Sequence, residues 1–275
     1  MVKVKLMGTL FALLFVCTLA AQTRFPIGFA YWDVGRCYDT IPSNFYNDKN
    51  FTPKGRYRWN TERYNRKIRN VAAVIDSLHM PIVALSGVET EDVVRDIVVA
   101  CKGDYSYVHR TLDSRDGLDF ALLYYGDMFF VDRVQDFYER LYIEGTIDQK
   151  RVGIWLTKSG YFQKSASPPH RDSVDIMVVA GGFYRGDLQN LGLKDYMADF
   201  ERRGFGNAKS TIGWYMRHRI GIDESVRTIG EGVFVDRWLL NDDRSAPLST
   251  FSSSGRWYLG GYSSYLPVYL YFLIY

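Results

Sequence analysis

Apolar residues recur at helical spacing in the first third of the chain. The starter sequence Asn60-Thr-Glu precedes a set that shares one helical face: Ile68, Val71, Ala72, Ile75 and Leu78. This pattern predicts an amphipathic helix over residues 61–78. A second helix is predicted after Thr90, because threonine caps helices well and two acids occupy the first turn that would follow.

Short, continuous apolar runs lie between and after these helices and are typical of buried strands. They cover residues 27–34, 82–86, 120–125, 152–156, 175–180 and 266–272. Strands alternate with helices early and dominate later, which predicts a mixed sheet covered by helices. Since no internal repeat or low-complexity linker divides the chain, we expect residues 22–275 to form one domain.

The first 21 residues have the pattern of a signal peptide. Lys3 and Lys5 precede an uninterrupted apolar run over residues 6–19, and Ala20 and Ala21 follow it. This run is shorter than the roughly 20 apolar residues that a membrane-spanning helix needs. We therefore expect cleavage after one of the two alanines and export to the periplasm or beyond the cell.

The cysteines bear on processing and on cross-linking. A lipoprotein anchored at Cys17 is disfavoured, because bulky Val16 stands where a small residue is expected. Processing would leave Cys37 and Cys101, which an exported protein is able to pair, but we favour two unpaired thiols. The chain has no Cys-x-x-Cys and no His-rich cluster, so a zinc site is not expected.

The charge balance of the processed chain is nearly neutral. Loss of two lysines with the signal peptide leaves 32 of the 34 basic residues, against 31 acidic ones. A dedicated nucleic-acid or membrane-surface binder would usually carry a basic excess. The composition therefore argues against both of these classes.

Four segments carry a family resemblance. They are Phe29-Ala-Tyr-Trp-Asp-Val-Gly-Arg-Cys-Tyr-Asp39, Ile82-Val-Ala-Leu-Ser-Gly-Val-Glu89, Gly117-Leu-Asp-Phe-Ala-Leu-Leu-Tyr124 and the tail Gly260-Gly-Tyr-Ser-Ser-Tyr-Leu-Pro-Val268. In order, spacing and strand context they resemble motifs of the endonuclease/exonuclease/phosphatase family of metal-dependent phosphodiesterases. The resemblance implies an α/β (α+β), deoxyribonuclease I-like fold. Its four layers are two mixed sheets packed face to face, with helices on the outside.

The family reaction needs a divalent cation, a base that activates water and donors for the phosphoryl group. The resemblance places Gly87 at the metal-binding Glu of the family. Gly182 and Tyr184 fall on the Asp and Asn that orient the nucleophile and bind phosphate, and Ser264 and Tyr265 fall on the terminal Asp-His pair. Because an ordinary tyrosine pKa is about 10, Tyr265 is a poor substitute for a histidine base at neutral pH.

Some family positions keep an acid. Asp33 falls on the metal-binding Asn of the first strand, and Asp223 falls on the late Asp that orients the terminal histidine. The middle histidine of the family would lie within residues 154–159, where this chain has none. Of the four histidines, His109 is the best candidate for the family cleft.

The leading hypothesis is an exported, catalytically degenerate family member that serves a binding or structural role without a cofactor. The main alternative is an active phosphodiesterase or nuclease whose Mg²⁺ or Mn²⁺ site has moved to Asp33, Glu89, Asp119 and Asp223. We favour an ordinary structural role for these acids. A third hypothesis is a cell-envelope module that binds protein or glycan through aromatic side chains. By resemblance, a nucleic acid or another phosphodiester is a possible ligand.

Overall fold

The computed structural model describes residues 26–158, 167–252, 254 and 257–275. The predicted signal peptide and Cys17 lie outside these residues. The strands are β1 (Pro26–Cys37), β2 (Ile82–Val88), β3 (Tyr105–Arg110), β4 (Asp119–Tyr125), β5 (Phe130–Phe137), β6 (Arg140–Ile147), β7 (Lys150–Thr157), β8 (Ile176–Gly181), β9 (Leu193–Asp195), β10 (Ala208–Ser210), β11 (Gly213–Tyr215), β12 (Arg219–Asp223), β13 (Thr228–Val233) and β14 (Val268–Leu273). The helices are α1 (Thr61–Leu78), α2 (Glu91–Ala100), α3 (Asp187–Asn190) and α4 (Ala198–Arg202).

Two six-stranded sheets form the framework. The first sheet has the order β13-β14-β1-β2-β4-β3, and the second has the order β5-β6-β7-β8-β12-β9. Each sheet contains one parallel pair, β1 with β2 and β7 with β8, and its other pairs are antiparallel. The predicted architecture of two mixed sheets is therefore confirmed, and a separate hairpin, β10-β11, lies between β9 and β12 along the chain.

The main core lies between the two sheets, and a second core lies between the first sheet and its helices. Side chains alternate along β1, so that Phe29 and Tyr31 enter the core between the sheets while Ala30, Trp32 and Val34 face the helices. Both faces of this strand are buried, which explains its continuous apolar sequence. On the outer face of the second sheet, a smaller cluster packs beneath the short helix α3.

The two long helices begin as the sequence predicts. The Asn60 side chain accepts a hydrogen bond from the backbone N–H of Arg63 at 3.0 Å, and Thr90 accepts one from Val93 at 3.3 Å. Both helices bury their apolar face against the first sheet. Among the described residues, no helix has the length and apolar character needed to cross a membrane. Cys37 and Cys101 are free thiols.

Candidate functional site

A cleft of about 460 Å³ opens where one end of each sheet meets the loop that precedes β14. Its floor comes from the ends of β1 and β2, from Lys158 just after β7, and from residues 263–265 of the tail. The remaining wall comes from Tyr57, from Asp116 and Leu118, and from four residues of a later loop, Thr250, Phe251, Ser252 and Ser254. The site therefore draws on both sheets and on segments far apart in sequence.

Four of the seven residues that the resemblance assigns to family positions come together in this cleft. Asp33, Gly87, Ser264 and Tyr265 all line it. Gly182 lies one residue past β8, where its N–H donates to Thr157 O at 3.3 Å, and Gly182 does not line the cleft. Tyr184 is also outside, with 53% of its surface exposed.

The backbone leaves no space for a side chain at Gly87, which the resemblance places at the metal-binding Glu of the family. Gly87 adopts a φ of +88°, in the left-handed region, beside an irregularity in the β1–β2 register. A Cβ atom at this position would lie 2.0 Å from the carbonyl oxygen of Gly35 and 3.1 Å from Oδ1 of Asp33. A backbone atom 2.0 Å away leaves no room for any side chain. A carboxylate side chain therefore does not fit at position 87 of this backbone.

Tyr265 is held by its backbone and by its ring. Its carbonyl accepts a hydrogen bond from the Trp32 indole at 2.8 Å, and its N–H donates to Ser263 Oγ at 3.2 Å. The ring lies edge-on to His218 with ring centroids 4.7 Å apart. Burial, followed by the nearby charge of Asp33, raises the pKa of Tyr265 above its ordinary value. The residue at the position of the family base is therefore a neutral phenol at neutral pH.

Asp33 lies beside the imidazole of His218, a contact that the sequence did not predict. Because Asp33 continues the inward face of β1, its carboxyl lies at the mouth of the core between the sheets. Oδ1 accepts the N–H of Gly35 at 2.8 Å, and Oδ2 lies 3.6 Å from Nε2 of His218. Burial raises the pKa of Asp33 to about 6, an effect that the Gly35 hydrogen bond opposes.

His218 is neutral, and one tautomer is fixed by Asn207. The Asn207 Oδ1 atom accepts the N–H groups of Arg217 at 2.8 Å and His218 at 3.2 Å, which orients the amide. The amide nitrogen then donates to Nδ1 of His218 at 3.0 Å, so the ring proton lies on Nε2 and faces Asp33. Burial lowers the pKa of His218 to about 3, so the imidazole stays uncharged.

His109 does not occupy the cleft, contrary to the sequence interpretation. Its Nε2 faces Oδ2 of Asp119 at 3.6 Å in a buried pocket between β3 and β4. The other Asp119 oxygen accepts the N–H of Leu112 at 3.0 Å. This pair holds the segment between the two strands.

The acids of the alternative metal site each hold backbone or a neighbouring side chain. Glu89 accepts the N–H of Asp39 at 2.6 Å and the hydroxyl of Tyr46 at 3.0 Å. Asp223 accepts the N–H of Met177 at 2.6 Å and pairs with Arg171. Across the described residues, no three or more His, Cys, Asp or Glu side chains are grouped to hold a metal ion.

Asp223, which the resemblance places at the acid that orients the terminal histidine of the family, does not line the cleft with Tyr265. Because β12 runs antiparallel to β8, Arg219 pairs with Gly181 at the cleft end, and Ile222 pairs with Val178 further away. Asp223 lies five residues beyond His218, roughly 16 Å along the strand. Asp33, Glu89 and Asp119 therefore lie at the same end of the first sheet, as expected, but Asp223 does not join them.

The stability of the fold is expected to fall as the pH rises through the range in which Glu89 ionises. Burial raises the pKa of Glu89 from 4.5 to about 8. The folded state therefore favours the protonated form, and this contribution is full below pH 4.5 and lost as the pH rises towards 8. Glu89→Gln should be more stable relative to wild type near pH 8 than near pH 5, by at least about 1 kcal/mol.

Urea denaturation at the two pH values measures this effect. Glu224→Gln, which changes an exposed side chain, is the matched control and should show no such difference. An equal effect of the Glu89 substitution at both pH values would contradict the assignment.

A buried lysine fixes the cleft from beneath. Lys67 on α1 is 1% exposed, and its ammonium donates to Val34 O at 2.5 Å, to Thr250 Oγ1 at 3.0 Å and to Tyr262 O. Burial lowers its pKa to about 8. One side chain thus joins the first helix, the end of β1 and both ends of the loop that forms the cleft wall.

Several cleft residues were not identified from the sequence. Lys158 lies within residues 154–159, where the resemblance puts the middle histidine, and its ammonium pairs with Asp116 at 2.8 Å. Arg36, Tyr57 and Phe251 form the adjacent wall. For these residues, the only indication in the sequence was the absence of a histidine within residues 154–159. The other side chains reach the cleft from loops whose positions depend on the completed fold.

Comparison with known proteins agrees with this fold. Residues 28–157 match a model of the Endonuclease/Exonuclease/phosphatase family. No match was found among curated protein sequences. Similar structures include a humanized TDP2 from D. rerio, with 12% identity, a TM-score of 0.57 and coverage of 90% of this chain and 98% of that chain.

Two proteins from Bacteroides thetaiotaomicron also share the fold. One is described as an endonuclease/exonuclease/phosphatase family protein, with 11% identity, a TM-score of 0.58 and coverage of 92% and 96% of the two chains. The other is a mannosyl-6-phosphatase, with 11% identity, a TM-score of 0.57 and coverage of 90% and 100%. Residues 28–157 thus match the endonuclease/exonuclease/phosphatase family model, and the two mixed sheets form the deoxyribonuclease I-like fold that the similar structures share.

Proposed function

We propose that this protein is a catalytically degenerate member of its family, whose cleft binds a ligand without the metal-dependent reaction. The main support is the lack of space at Gly87, where an added Cβ atom would lie 2.0 Å from Gly35 O. This contact excludes a carboxylate at the position where the family holds its cation. Tyr265, which the resemblance places at the family base, is a neutral phenol and does not serve as a base at neutral pH. These residues do not fit the family cofactor, so no step of a metal-assisted reaction is assigned to them.

The retained cleft supports binding. Its walls are held by the Lys67 hydrogen bonds and by the Trp32–Tyr265 hydrogen bond, and its lining includes two basic side chains, Arg36 and Lys158. Among similar structures, D. rerio TDP2 has been crystallised with a single-strand DNA product, and another protein is a mannosyl-6-phosphatase. We propose that the ligand of this chain carries an anionic group, as the ligands of those proteins do.

A metal-binding and hydrolysis assay tests the loss of activity. We expect titration calorimetry with millimolar Mg²⁺ or Mn²⁺ to show no saturable binding. We also expect no turnover of a phosphodiester, a phosphomonoester or single-stranded DNA above the rate with chelator present. Saturable metal binding together with metal-dependent turnover would favour an active enzyme with a relocated site.

Export is a separate part of the proposal. It rests on the two lysines, the apolar run and the two alanines of residues 1–21. N-terminal sequencing of the protein from its native host should find a chain that begins at residue 21 or 22. An intact N-terminus on protein from the cytoplasm would refute this assignment. A pull-down from envelope extracts tests whether a protein or glycan of the envelope is the partner.

A further inference from the structure

We propose that the cleft binds a hexose carrying one anionic substituent, a phosphate or a carboxylate. This inference rests on the proposed function, since it names the ligand that the cleft holds. Three features of the cleft carry it. They are an aromatic wall, an arginine without a carboxylate partner, and a set of hydroxyl and carboxyl groups in the lining.

The aromatic wall consists of Tyr57 and Phe251, whose ring centroids lie 4.8 Å apart. Phe251 packs against Trp59 at 5.8 Å and Tyr258 at 5.8 Å, so its ring is fixed from behind while part of its surface remains accessible. A sugar ring presents a face of C–H groups, which stack well on the negative face of an aromatic ring. The wall therefore suits a pyranose better than a bare inorganic anion.

Arg36 supplies the positive charge. Its guanidinium lies 5.8 Å from the Phe51 ring centroid and donates to the Tyr57 hydroxyl at 3.4 Å. Within the described part of the chain, no carboxylate lies within ion-pair distance of Arg36, whereas Lys158 is paired with Asp116. An unpaired guanidinium presents a planar fork of donors that matches a phosphate or a carboxylate.

Hydroxyl and carboxyl groups suited to sugar hydroxyls also line the cleft. Asp33 is a half-buried acceptor, and Ser264 Oγ lies 2.5 Å from Ser249 Oγ. Further hydroxyl groups in the lining belong to Ser252 and Ser254, whose Oγ atoms lie 3.1 Å apart. Hydroxyls both donate and accept, which fits the alternating donors and acceptors around a sugar ring.

The dimensions and charges favour a single sugar over a polynucleotide. A volume of about 460 Å³ lies within the usual range of small-molecule sites, roughly 300–1,000 Å³. A single-stranded nucleic acid instead needs a positive groove that follows several phosphates. Here two carboxylates, Asp33 and Asp116, line the same cleft and would repel additional phosphates.

Titration calorimetry with glucose 6-phosphate, glucuronate, glucose, inorganic phosphate and a short single-stranded DNA tests the inference. We expect both anionic sugars to bind at least about tenfold more tightly than glucose or phosphate. Binding of only one of them identifies which anionic group is recognised. Arg36→Gln should weaken anionic-sugar binding about tenfold and leave glucose unchanged. Phe251→Leu should weaken all three sugars about fivefold and leave phosphate unchanged.

The matched controls lie away from the cleft. Arg203→Gln changes an arginine that also contacts aromatic rings, and Phe205→Leu changes an exposed phenylalanine, so neither should alter binding. Circular dichroism and a melting curve for each variant separate loss of binding from loss of fold. Equal affinity for phosphate and glucose 6-phosphate, or binding of DNA alone, would overturn the sugar assignment. Release of phosphate from bound glucose 6-phosphate, followed by ³¹P NMR, would instead refute the non-hydrolytic function and leave the ligand class standing.

Discussion

Restoring the family side chains in the cleft is expected to give no metal-dependent hydrolysis. The variant combines Gly87→Glu, Gly182→Asp, Tyr184→Asn, Ser264→Asp and Tyr265→His. It should fail because a Cβ atom at position 87 would lie 2.0 Å from the carbonyl oxygen of Gly35. Turnover of a phosphodiester with Mn²⁺ measures the outcome. Metal-dependent turnover by this variant would show that the backbone moves aside at little cost.

The same contact predicts a large loss of stability from the smallest side chain. Gly87→Ala should lose at least about 2 kcal/mol of unfolding free energy, since left-handed backbone costs 1–2 kcal/mol and overpacking adds to it. Gly186→Ala is the matched control, because Gly186 has a φ of +95° but no atom within 4 Å of the added Cβ. It should lose only about 1 kcal/mol. Equal losses for both variants in urea denaturation would remove the steric explanation.

Arg219→Ala is expected to lower the unfolding free energy by about 3–5 kcal/mol, because it leaves buried charge without a partner. Arg219 is 1% exposed and donates to Asp195 at 2.8 Å, to Phe183 O at 3.2 Å and to Glu201. Asp195 is also buried, and burial raises its pKa against the opposing charge of Arg219. The arginine thus links β12 to β9, to α4 and to the residue that follows Gly182.

The exposed pair of Arg202 with Asp199, at 2.9 Å, provides the control for this prediction. Arg202→Ala should change stability by less than about 1 kcal/mol, since exposed ion pairs contribute little. Denaturant unfolding of both variants gives the comparison. A loss below about 1 kcal/mol for Arg219→Ala would mean that water replaces the guanidinium at these acceptors.

The sequence predicted the two long helices and six strands, but it missed the buried strands β6 and β12 as well as more exposed ones. Helix α1 begins and ends at the predicted residues, and all six apolar runs form strands. Strand β5 was not predicted, because it lies at the edge of its sheet and none of its residues is fully buried. The three-residue strands β9, β10 and β11 are too short to show a period. Strands β1 and β2 were recognisable because both of their faces are buried, whereas the edge strand β5 lacks this burial.

The candidate site was only partly predictable. Motif resemblance identified Asp33, Gly87, Ser264 and Tyr265, and these four meet in the cleft. His218 was missed, because its approach to Asp33 depends on how the second sheet packs against the first. A local sequence pattern carries no information about such a contact. For the same reason, the pairing direction of β12 decided the position of Asp223.

The Lys67 hydrogen bonds have a thermodynamic consequence for any ligand of the cleft. A loop that must become ordered on binding subtracts its lost conformational entropy from the affinity. Here the buried ammonium already fixes Thr250 and Tyr262, at the two ends of the wall, before a ligand arrives. The conformational entropy of these two residues is therefore lost during folding, and ligand binding does not lose it again. We expect Lys67→Met to weaken ligand binding and to make the binding entropy more unfavourable, although Lys67 does not line the cleft.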